Sequence, residues 1–470
     1  MFTYVIIFHL LGVNRTGINW HGNAAVQESS TAHPTEVFLE FSMNISRRSF
    51  LGASALTLGP LALVGCSTSN SGSSAGDGDE FILWMWPEGY GDDVLNAVKD
   101  KFSDISLRQD VIGGDFKQKL TTTFSAGSGL PDITGVKGED IAFFLSKADY
   151  FEDLNELGAK DIKGDYLDWK WEQATTKDGK QLGIPTDIGP TALFYRFDVF
   201  EEAGLPSDPT ELENAIRTWD EYFELGKELI AKKPGTFLVR NTASVFGTAW
   251  RQAGKGFIDE NGAFIGDQEH IRAAWDLAVK ANAAGINGAL AAQTTDSAAA
   301  VSEGRLPADF GASWHLADLM SDAPETSGKW HVCKHPGEAV NKGGSFLTIP
   351  KGAKDPKKSF EVLSFMLNAK NQALEYKHSG NFPAAPEAHS MPEVDGEVEF
   401  LGGQKAAEVF SAAAETVRPL YEDPNSEAVN APFYAELEQV ESTKKDPEKA
   451  WSDAVTAAKR IAEQSGIKVN

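Results

Sequence analysis

Hydrophobic and polar residues alternate along the first part of the chain in a repeated strand–helix order. Residues 80–87, EFILWMWP, form a short apolar run closed by proline, which predicts a buried first strand. Residues 92–102 and 116–126 carry apolar side chains at helical spacing, and residues 106–111 lie between them as a second strand. A third strand is predicted to begin near Ile133. This alternation predicts an α/β sheet that is at least partly parallel.

The rest of the chain continues the same mixture of strands and helices. The segment 184–190 is bracketed by proline and glycine and predicts a strand that leaves one sheet. Thr218, with Glu221 three residues later, predicts a capping box at the start of a helix. Residues 357–367 and 446–464 predict later helices. Because about 400 residues follow the N-terminal region and a single core rarely exceeds ~250–300, we expect two lobes.

The N-terminal region has the pattern of an export signal. Arg47 and Arg48 precede the seventeen uncharged residues 49–65, and Cys66 follows them. This apolar run is shorter than the about 20 residues that a membrane-spanning helix needs. The segment 66–79 contains no large apolar residue and therefore predicts a flexible tether.

Residues 1–42 are interpreted as a non-native leader, because Met43 stands directly before the export signal at 43–65. Residues 63–66 resemble the lipobox of bacterial lipoproteins, in which the signal is cut before the cysteine and the cysteine receives a diacylglycerol. Residues 46–51 resemble the twin-arginine motif, although glycine follows where that motif has lysine, so the Sec and twin-arginine routes both stay open. The alternative is a buried N-terminal helix with a core cysteine.

The composition is strongly acidic. The formal net charge of −25 repels phosphate backbones, so nucleic acid is not an expected partner. No basic patch is visible for anionic lipid, and membrane attachment is therefore predicted to depend on Cys66 alone. The second cysteine is Cys333, so an acylated Cys66 leaves no intramolecular disulfide.

Several segments resemble family 1 extracellular solute-binding proteins, the receptors of bacterial ABC importers for sugars and related solutes. Each segment alone is weakly specific, but their order and spacing together are characteristic. The matching segments are 124–133 (FSAGSGLPDI), 183–187 (GIPTD), 192–205 (ALFYRFDVFEEAGL), 218–221 (TWDE), 302–314, 343–366 and 380–384 (GNFPA).

The resemblance implies a two-lobed periplasmic-binding-protein-like α/β fold of type II, with a ligand cleft between lobes joined by a multi-segment hinge. The implied boundaries are 80–187 with the return segment 341–388 for lobe 1, and 188–340 with the C-terminal helices 389–470 for lobe 2. Chain crossovers are expected near 187–191, 335–343 and 386–394. The implied protein is a monomeric receptor at the outer face of the cytoplasmic membrane, which delivers a sugar to ABC permease subunits and needs no cofactor.

Catalytic motifs are not evident in the sequence. Its G-x-S-x-G pattern at 72–76 lies in the polar segment 66–79 and not at a strand-to-helix turn, so it does not indicate a nucleophile elbow. The sequence has no phosphate-binding P-loop, so the chain is not the ATPase. His331, Cys333 and His335 would share a face of a strand and invite a metal, but we favour a buried thiol without metal because no fixed partner lies nearby. The alternatives are a surface-anchored polysaccharide hydrolase and a peptide or metal receptor of the same fold.

The high tryptophan content favours a sugar site, because the C–H faces of sugar rings pack on aromatic planes and polar groups bind the hydroxyls. Trp314 is the preferred stacking residue, and Trp84 is predicted to lie in the core. The candidate ligand-binding residues are Trp86, Glu88, Asp187, Trp250, Trp314, Ser345 and Asn381. Five other tryptophans are assigned to packing: Trp169, Trp171, Trp219, Trp275 and Trp451.

Overall fold

The computed structural model describes residues 80–87 and 89–469. The strands of this part are β1 Glu80–Met85, β2 Ser106–Val111, β3 Ile133–Val136, β4 Gly183–Pro185, β5 Asp187–Ile188, β6 Ala192–Arg196, β7 Ala308–Gly311, β8 Trp330–Cys333, β9 Phe346–Thr348 and β10 Phe382–Pro383. The strand at 106–111 and the helix at 116–126 have the bounds that the sequence predicts.

Helices form a large share of the other described residues. They are α1 Asp92–Lys101, α2 Phe116–Ala126, α3 Ile141–Leu145, α4 Ala159–Ile162, α5 Asp168–Glu172, α6 Phe197–Glu202, α7 Pro209–Ala215, α8 Trp219–Lys232, α9 Thr242–Gln252, α10 Glu269–Ala283, α11 Thr295–Ser302, α12 His315–Asp322, α13 Pro356–Met366, α14 Ala369–Ser379, α15 Ala406–Thr416, α16 Ser426–Thr443 and α17 Pro447–Gln464. The predicted capping box of Thr218 and Glu221 begins α8 and is confirmed.

The first sheet has the strand order β2-β1-β3-β9-β4. β1 pairs in parallel with β2 and β3, whereas β9 runs antiparallel to β3 and β4. The parallel pairs follow from the helical crossovers α1 and α2, since parallel strands need a crossover connection. The predicted α/β sheet that is partly parallel is therefore confirmed.

A second sheet, in the order β7-β6-β8, is antiparallel throughout. All five residues of β6 are buried, and their side chains alternate between two cores. Leu193 and Tyr195 pack in the core that contains α8, whereas Ala192 and Phe194 pack in the core that contains α15. The period-2 alternation of a strand thus joins two hydrophobic layers.

Candidate functional site

A cavity of about 1650 Å³ opens between distant parts of the chain. Its wall on one side comes from segments within 138–180, and on the other side from segments within 251–268 and 417–424. Trp314 and residues 339–343 complete it. The lining therefore combines residues from both segments that the sequence assigns to separate lobes. A concave space of this size suits an organic ligand of several rings.

Two stretches of chain run side by side at one end of this cavity. The amide of Thr191 donates to the carbonyl of Val340 at 3.0 Å, and the amide of Lys342 donates to the carbonyl of Gly189 at 2.8 Å. The amide of Gly189 also donates to Oδ1 of Asn341 at 2.9 Å. These bonds fix the residues before β6 against the residues before β9, and they place Lys342 and Gly343 beside Gly189.

Trp314 lies at the start of α12 and is half-buried against this pair of segments. A Cβ atom added to Gly343 would lie 3.2 Å from Cη2 of Trp314, and a Cβ atom on Gly189 would clash with the same atom. The two glycines therefore allow the indole to approach the backbone closely. The preceding residue, Ser313, donates its hydroxyl to the carbonyl of Gly380 at 2.7 Å, which places Asn381 close by.

Asp187 is buried in β5 and is bound by the protein itself. Its Oδ1 accepts from the amide of Ser345 at 2.8 Å and from the hydroxyl of Thr186 at 2.5 Å. Burial raises the pKa of Asp187, and the nearby ammonium of Lys170 opposes that shift. Asp187 and Ser345 thus stabilise the crossover beside Trp314, and neither belongs to the cavity wall.

Lys170 is a fully buried lysine that sequence reasoning missed. Its Nζ donates to Oε1 of Gln173 at 3.0 Å and to the carbonyl of Gly343 at 3.3 Å, and it lies 4.2 Å from the ring centre of Phe346. Burial lowers the pKa of Lys170 to about 8, although the charge of Asp187 favours the ammonium. The ammonium therefore links α5 to the segment before β9 at Gly343.

The other predicted ligand residues lie in different surroundings. Trp86 is half-buried at the end of β1, with its ring 5.8 Å from that of Phe116, and it is outside the cavity wall. Trp250 is only 3% exposed and donates its indole N–H to the hydroxyl of Tyr434 at 3.0 Å. The structure thus places Trp250 in the core and not in the cavity, because its neighbour Arg251 takes the cavity-facing position. Trp84 is buried, which confirms its assignment to the core.

Asn381 is half-buried, and its amide N–H donates to Oγ of Ser379 at 3.2 Å. Glu88 and the lipid-attachment candidate Cys66 lie outside the described residues. Of the predicted set, Trp314 lines the cavity, while Asp187, Ser345 and Asn381 are gathered behind it.

Several cavity residues escaped the sequence analysis. Trp169 was assigned to packing, and its indole N–H does donate to the carbonyl of Ala414 at 3.2 Å, but the residue also lines the cavity. Tyr421 and Glu422 line it from a loop bracketed by Pro419 and Pro424. In the sequence, an aromatic residue next to a carboxylate between two prolines was the one indication that this loop could have a function.

The three candidate metal ligands, His331, Cys333 and His335, each have other surroundings in the fold. Nε2 of His335 lies 2.8 Å from the hydroxyl of Thr191, and burial lowers the pKa of His335 to about 4. His331 stacks on Phe197 at 4.3 Å between ring centres, and burial raises the pKa of Cys333. Across residues 80–87 and 89–469, no group of three or more His, Cys, Asp or Glu side chains is arranged to hold a metal ion.

Within the same ranges, no helix has the length and apolar character needed to cross a membrane.

The sequence profile described as "Bacterial extracellular solute-binding protein" matches residues 92–373, which is more than half of the chain. An arabinooligosaccharide-binding protein of Bacillus subtilis (strain 168) is 28% identical over 218 residues, or 44% of this chain and 47% of that protein. A lactose-binding protein of Rhizobium radiobacter is 24% identical over 370 residues, or 72% of this chain and 83% of that protein. The chain thus spans about half the length of the first relative and most of the second.

Solved structures share the fold over nearly their whole length. A crystal structure of an extracellular solute-binding protein of family 1 is 27% identical with a TM-score of 0.77, covering 82% of this chain and 99% of that one. The galacto-N-biose-/lacto-N-biose I-binding protein of a Bifidobacterium longum ABC transporter, solved with lacto-N-biose, has a TM-score of 0.70 at 21% identity. That match covers 84% of this chain and 100% of the solved chain. The predicted two-lobed periplasmic-binding-protein fold is thereby confirmed.

Proposed function

The chain belongs to the family of bacterial extracellular solute-binding proteins, and on that premise we propose that it captures an oligosaccharide and delivers it to the permease of an ABC importer. The observation that carries the proposal is a half-buried tryptophan, Trp314, in the wall of a large cavity. Polar side chains line the same cavity, among them Arg251, Lys342 and Glu422. An aromatic plane with charged and amide groups at its edges is suited to a ring that is apolar on its faces and rich in hydroxyls at its rim.

The relatives support the class of ligand. Two are named arabinooligosaccharide-binding proteins, one a lactose-binding protein and one a galactooligosaccharide-binding protein. The cavity volume of about 1650 Å³ leaves room for more than one sugar ring. We therefore favour an oligosaccharide over a single sugar.

Ligand capture is proposed to close the two lobes over the sugar. Lobe 1 would comprise 80–187 and 341–388, and lobe 2 would comprise 188–340 and 389–470. The cavity wall draws on both, so one ligand can contact both lobes and favour the closed state. The closed form would then dock, as a monomer, on the permease subunits.

The protein is proposed to act at the cell envelope as a lipoprotein. Family members are extracellular solute-binding proteins. Acylation of Cys66 would hold the receptor at the outer face of the cytoplasmic membrane, since two acyl chains anchor far more firmly than one. The segment 66–79 would then act as the tether.

Binding without catalysis is the proposed mode of action. A polysaccharide hydrolase would need an acid and a base placed on either side of one glycosidic bond. The relatives are named as binding proteins, which favours a receptor over that alternative and gives no support to a peptide or metal receptor.

A thermal-shift panel of mono- and oligosaccharides, run on the mature chain from Cys66, tests the proposal. A bound sugar should raise the melting temperature in a concentration-dependent way, because it stabilises the folded state by RT ln(1 + [L]/Kd). Chromatography of each stabilising sugar after incubation should recover it uncleaved. Stabilisation by peptides or metal ions alone, or the appearance of cleaved products, would contradict the proposal.

A further inference from the structure

The cavity differs in charge from the rest of the molecule. The chain has 43 basic and 68 acidic residues, which gives the formal net charge of −25. The cavity wall has equal numbers of each. Its basic residues are Lys177, Lys180, Arg251, Lys255, Lys342 and Arg418, and its acidic residues are Glu139, Glu172, Asp178, Asp259, Glu260 and Glu422. The whole acidic excess therefore lies outside the wall, and the wall is enriched in cations relative to the chain.

Most of these cations have no carboxylate partner. Within the part of the chain that the structure describes, Lys180 is the one basic wall residue in an ion pair, at 3.8 Å from Asp178 and 4.0 Å from Asp149. Lys177 donates to the carbonyl of Glu260 at 2.9 Å and not to a carboxylate. Arg251 is the half-buried member of this unpaired set, and a partly buried charge is normally paired. The other unpaired wall cations are solvent-exposed and need no counter-ion from the protein.

Two of these unpaired cations lie beside the Trp314 subsite. Lys342 directly precedes Gly343, against which the indole of Trp314 packs. Arg251 directly precedes Gln252, the last residue of α9. Nε2 of Gln252 donates to the carbonyls of Pro336 at 2.7 Å and Glu338 at 2.9 Å. These bonds hold the end of α9 against the segment that leads to Lys342.

The guanidinium of Arg251 is positioned but largely free to donate. Its Cζ lies 4.3 Å from the ring centre of Trp250, and its Nη1 donates to the carbonyl of Gly247 at 2.9 Å. A guanidinium has five N–H donors, so most of them have no acceptor among the described residues. Stacking on Trp250 fixes the plane of the group, which favours recognition of a planar or tetrahedral anion.

The amine of Lys342 lies near the charges of Arg251 and Arg240, although the residue as a whole is solvent-exposed. Partial desolvation lowers the pKa of Lys342, the charges of Arg251 and Arg240 lower it further, and those of Asp309 and Asp318 raise it. Glu422 faces Arg251 but forms no ion pair with it, and burial raises the pKa of Glu422. An anion placed between Arg251 and Lys342 would relieve the repulsion between these two cations.

We infer that the oligosaccharide carries an anionic group, the carboxylate of a uronic acid or a sulfate ester, that Arg251 and Lys342 bind while the adjoining ring packs against Trp314. This inference rests on the proposed sugar-receptor function and narrows its ligand to acidic oligosaccharides. Both anions supply oxygen acceptors for charge-assisted hydrogen bonds from a guanidinium and an ammonium.

Titration calorimetry with three matched disaccharides tests the inference. The probes are α-1,4-digalacturonic acid, its neutral counterpart α-1,4-galactobiose and a sulfated galactobiose, each at low and high NaCl. An acidic probe should bind at least about tenfold more tightly than the neutral one, since a charge-assisted bond adds roughly 1.5 kcal/mol. High salt should reduce that advantage. Preference for the uronate or for the sulfate ester identifies which anion the site takes.

Charge-neutral variants assign the effect to the two cations. Lys342→Gln and Arg251→Gln should each weaken binding of the acidic probe by a larger factor than binding of the neutral probe, and so abolish the preference for the acidic probe. The matched control is Lys370→Gln, an exposed lysine on α14 that is outside the cavity wall and loses the same charge. This control should keep the preference intact.

Two results would overturn the inference. Equal or tighter binding of the neutral probe, with no effect of Lys342→Gln on selectivity, would refute the anionic ligand while the sugar-receptor function stands. Failure of every sugar in the panel to bind would refute the proposed function itself, and the inference with it.

Discussion

The indole of Trp314 packs on the backbone at Gly189, a residue that lies 125 positions earlier in the chain. Any Cβ atom at Gly189 would clash with Cη2 of Trp314 and with the carbonyl oxygen of Lys342. The position of the proposed stacking residue thus depends on a glycine in the predicted crossover between the two lobes. This contact would couple the proposed ligand site to the segment that is expected to bend on closure.

Replacement of Trp314 by alanine should weaken sugar binding while the fold stays intact. A half-buried aromatic ring in a ligand site contributes about 2 kcal/mol, or roughly thirtyfold in Kd. Titration calorimetry with a sugar from the thermal-shift panel measures the loss, and far-UV circular dichroism checks the fold. Trp451→Ala, a half-buried tryptophan on α17 outside the cavity wall, is the control and should leave affinity unchanged. Unaltered binding by Trp314→Ala would remove its assigned role.

Replacement of Gly189 by alanine should reduce both stability and affinity. The added methyl meets backbone at Lys342 as well as the Trp314 ring, and backbone does not yield as a flexible side chain does. We expect a loss of about 1–3 kcal/mol in the free energy of unfolding, as for an overpacked site. Gly164→Ala is the control, because a Cβ there meets no atom within 4 Å. Urea denaturation and calorimetry of both variants compare the effects, and equal behaviour of the two would contradict the prediction.

The periodic parts of the fold could be predicted from the sequence. Strand 106–111 and helix 116–126 have their predicted bounds because short-range spacing and a stop at Gly127 determine them. The capping box at Thr218 is likewise a local arrangement of side chain and backbone. Local physical rules are sufficient for features of this kind.

The candidate site was less predictable because it is assembled from distant loops. Trp169, Tyr421 and Glu422 come together only after folding, and no spacing in the sequence links them. At the end of α9, the sequence does not reveal which of two neighbours faces the cavity. The structure places Trp250 in the core, where its indole N–H donates to the hydroxyl of Tyr434, and it places Arg251 in the cavity wall. The electrostatic influence of Lys170 on the buried Asp187 depends on a proximity that only the tertiary structure supplies.

Replacement of Cys66 by serine should release the protein from the membrane. The hydroxyl does not accept the diacylglycerol that a lipobox cysteine receives, so the chain loses its only proposed anchor. Fractionation of cells that express the full chain, with mass spectrometry of the intact protein, measures both anchoring and lipid mass. Ser67→Ala is the control and should remain in the membrane fraction. Continued membrane association of Cys66→Ser would contradict the lipoprotein hypothesis.

Removal of the buried ammonium of Lys170 should destabilise the protein more than removal of an exposed one. Lys170→Met leaves Oε1 of Gln173 and the carbonyl of Gly343 without their donor and removes the charge that favours the nearby Asp187 carboxylate, so we expect a loss of about 1–3 kcal/mol. The double variant Lys170→Met/Asp187→Asn should recover part of that loss. Lys163→Met is the matched control, because Lys163 pairs with Glu172 at the surface at 2.7 Å and should change little. Urea denaturation of the parent, Lys170→Met, Asp187→Asn, the double variant and the control gives the free energies of unfolding, and additive losses in the double variant would contradict coupling between the two residues.

The residue that follows Trp314 should make stability dependent on pH. Nε2 of His315 lies 3.0 Å from Oδ2 of Asp309, and Nδ1 lies 3.2 Å from Oδ2 of Asp318. Burial opposes the imidazolium, but the two carboxylates outweigh burial and raise the pKa of His315 to about 9, from an ordinary value of 6.5. Arg240 also pairs with Asp309, at 2.5 Å. Burial alone would raise the pKa of Asp309, but His315 and Arg240 outweigh burial and hold that pKa below its ordinary value.

The sign of the effect follows from the raised pKa of His315. Its contribution to stability is complete below about pH 6.5 and is lost as the pH rises through about 9, because the folded state then releases the proton that the unfolded state has already lost. The expected loss is on the order of 1–3 kcal/mol over that window. Urea denaturation at a series of pH values should show this decline in the parent chain and a flatter profile in His315→Gln. The control His378→Gln removes an exposed histidine and should keep the parent profile. A parent chain whose stability does not fall between pH 6.5 and 9 would show that the imidazolium is not held by these carboxylates.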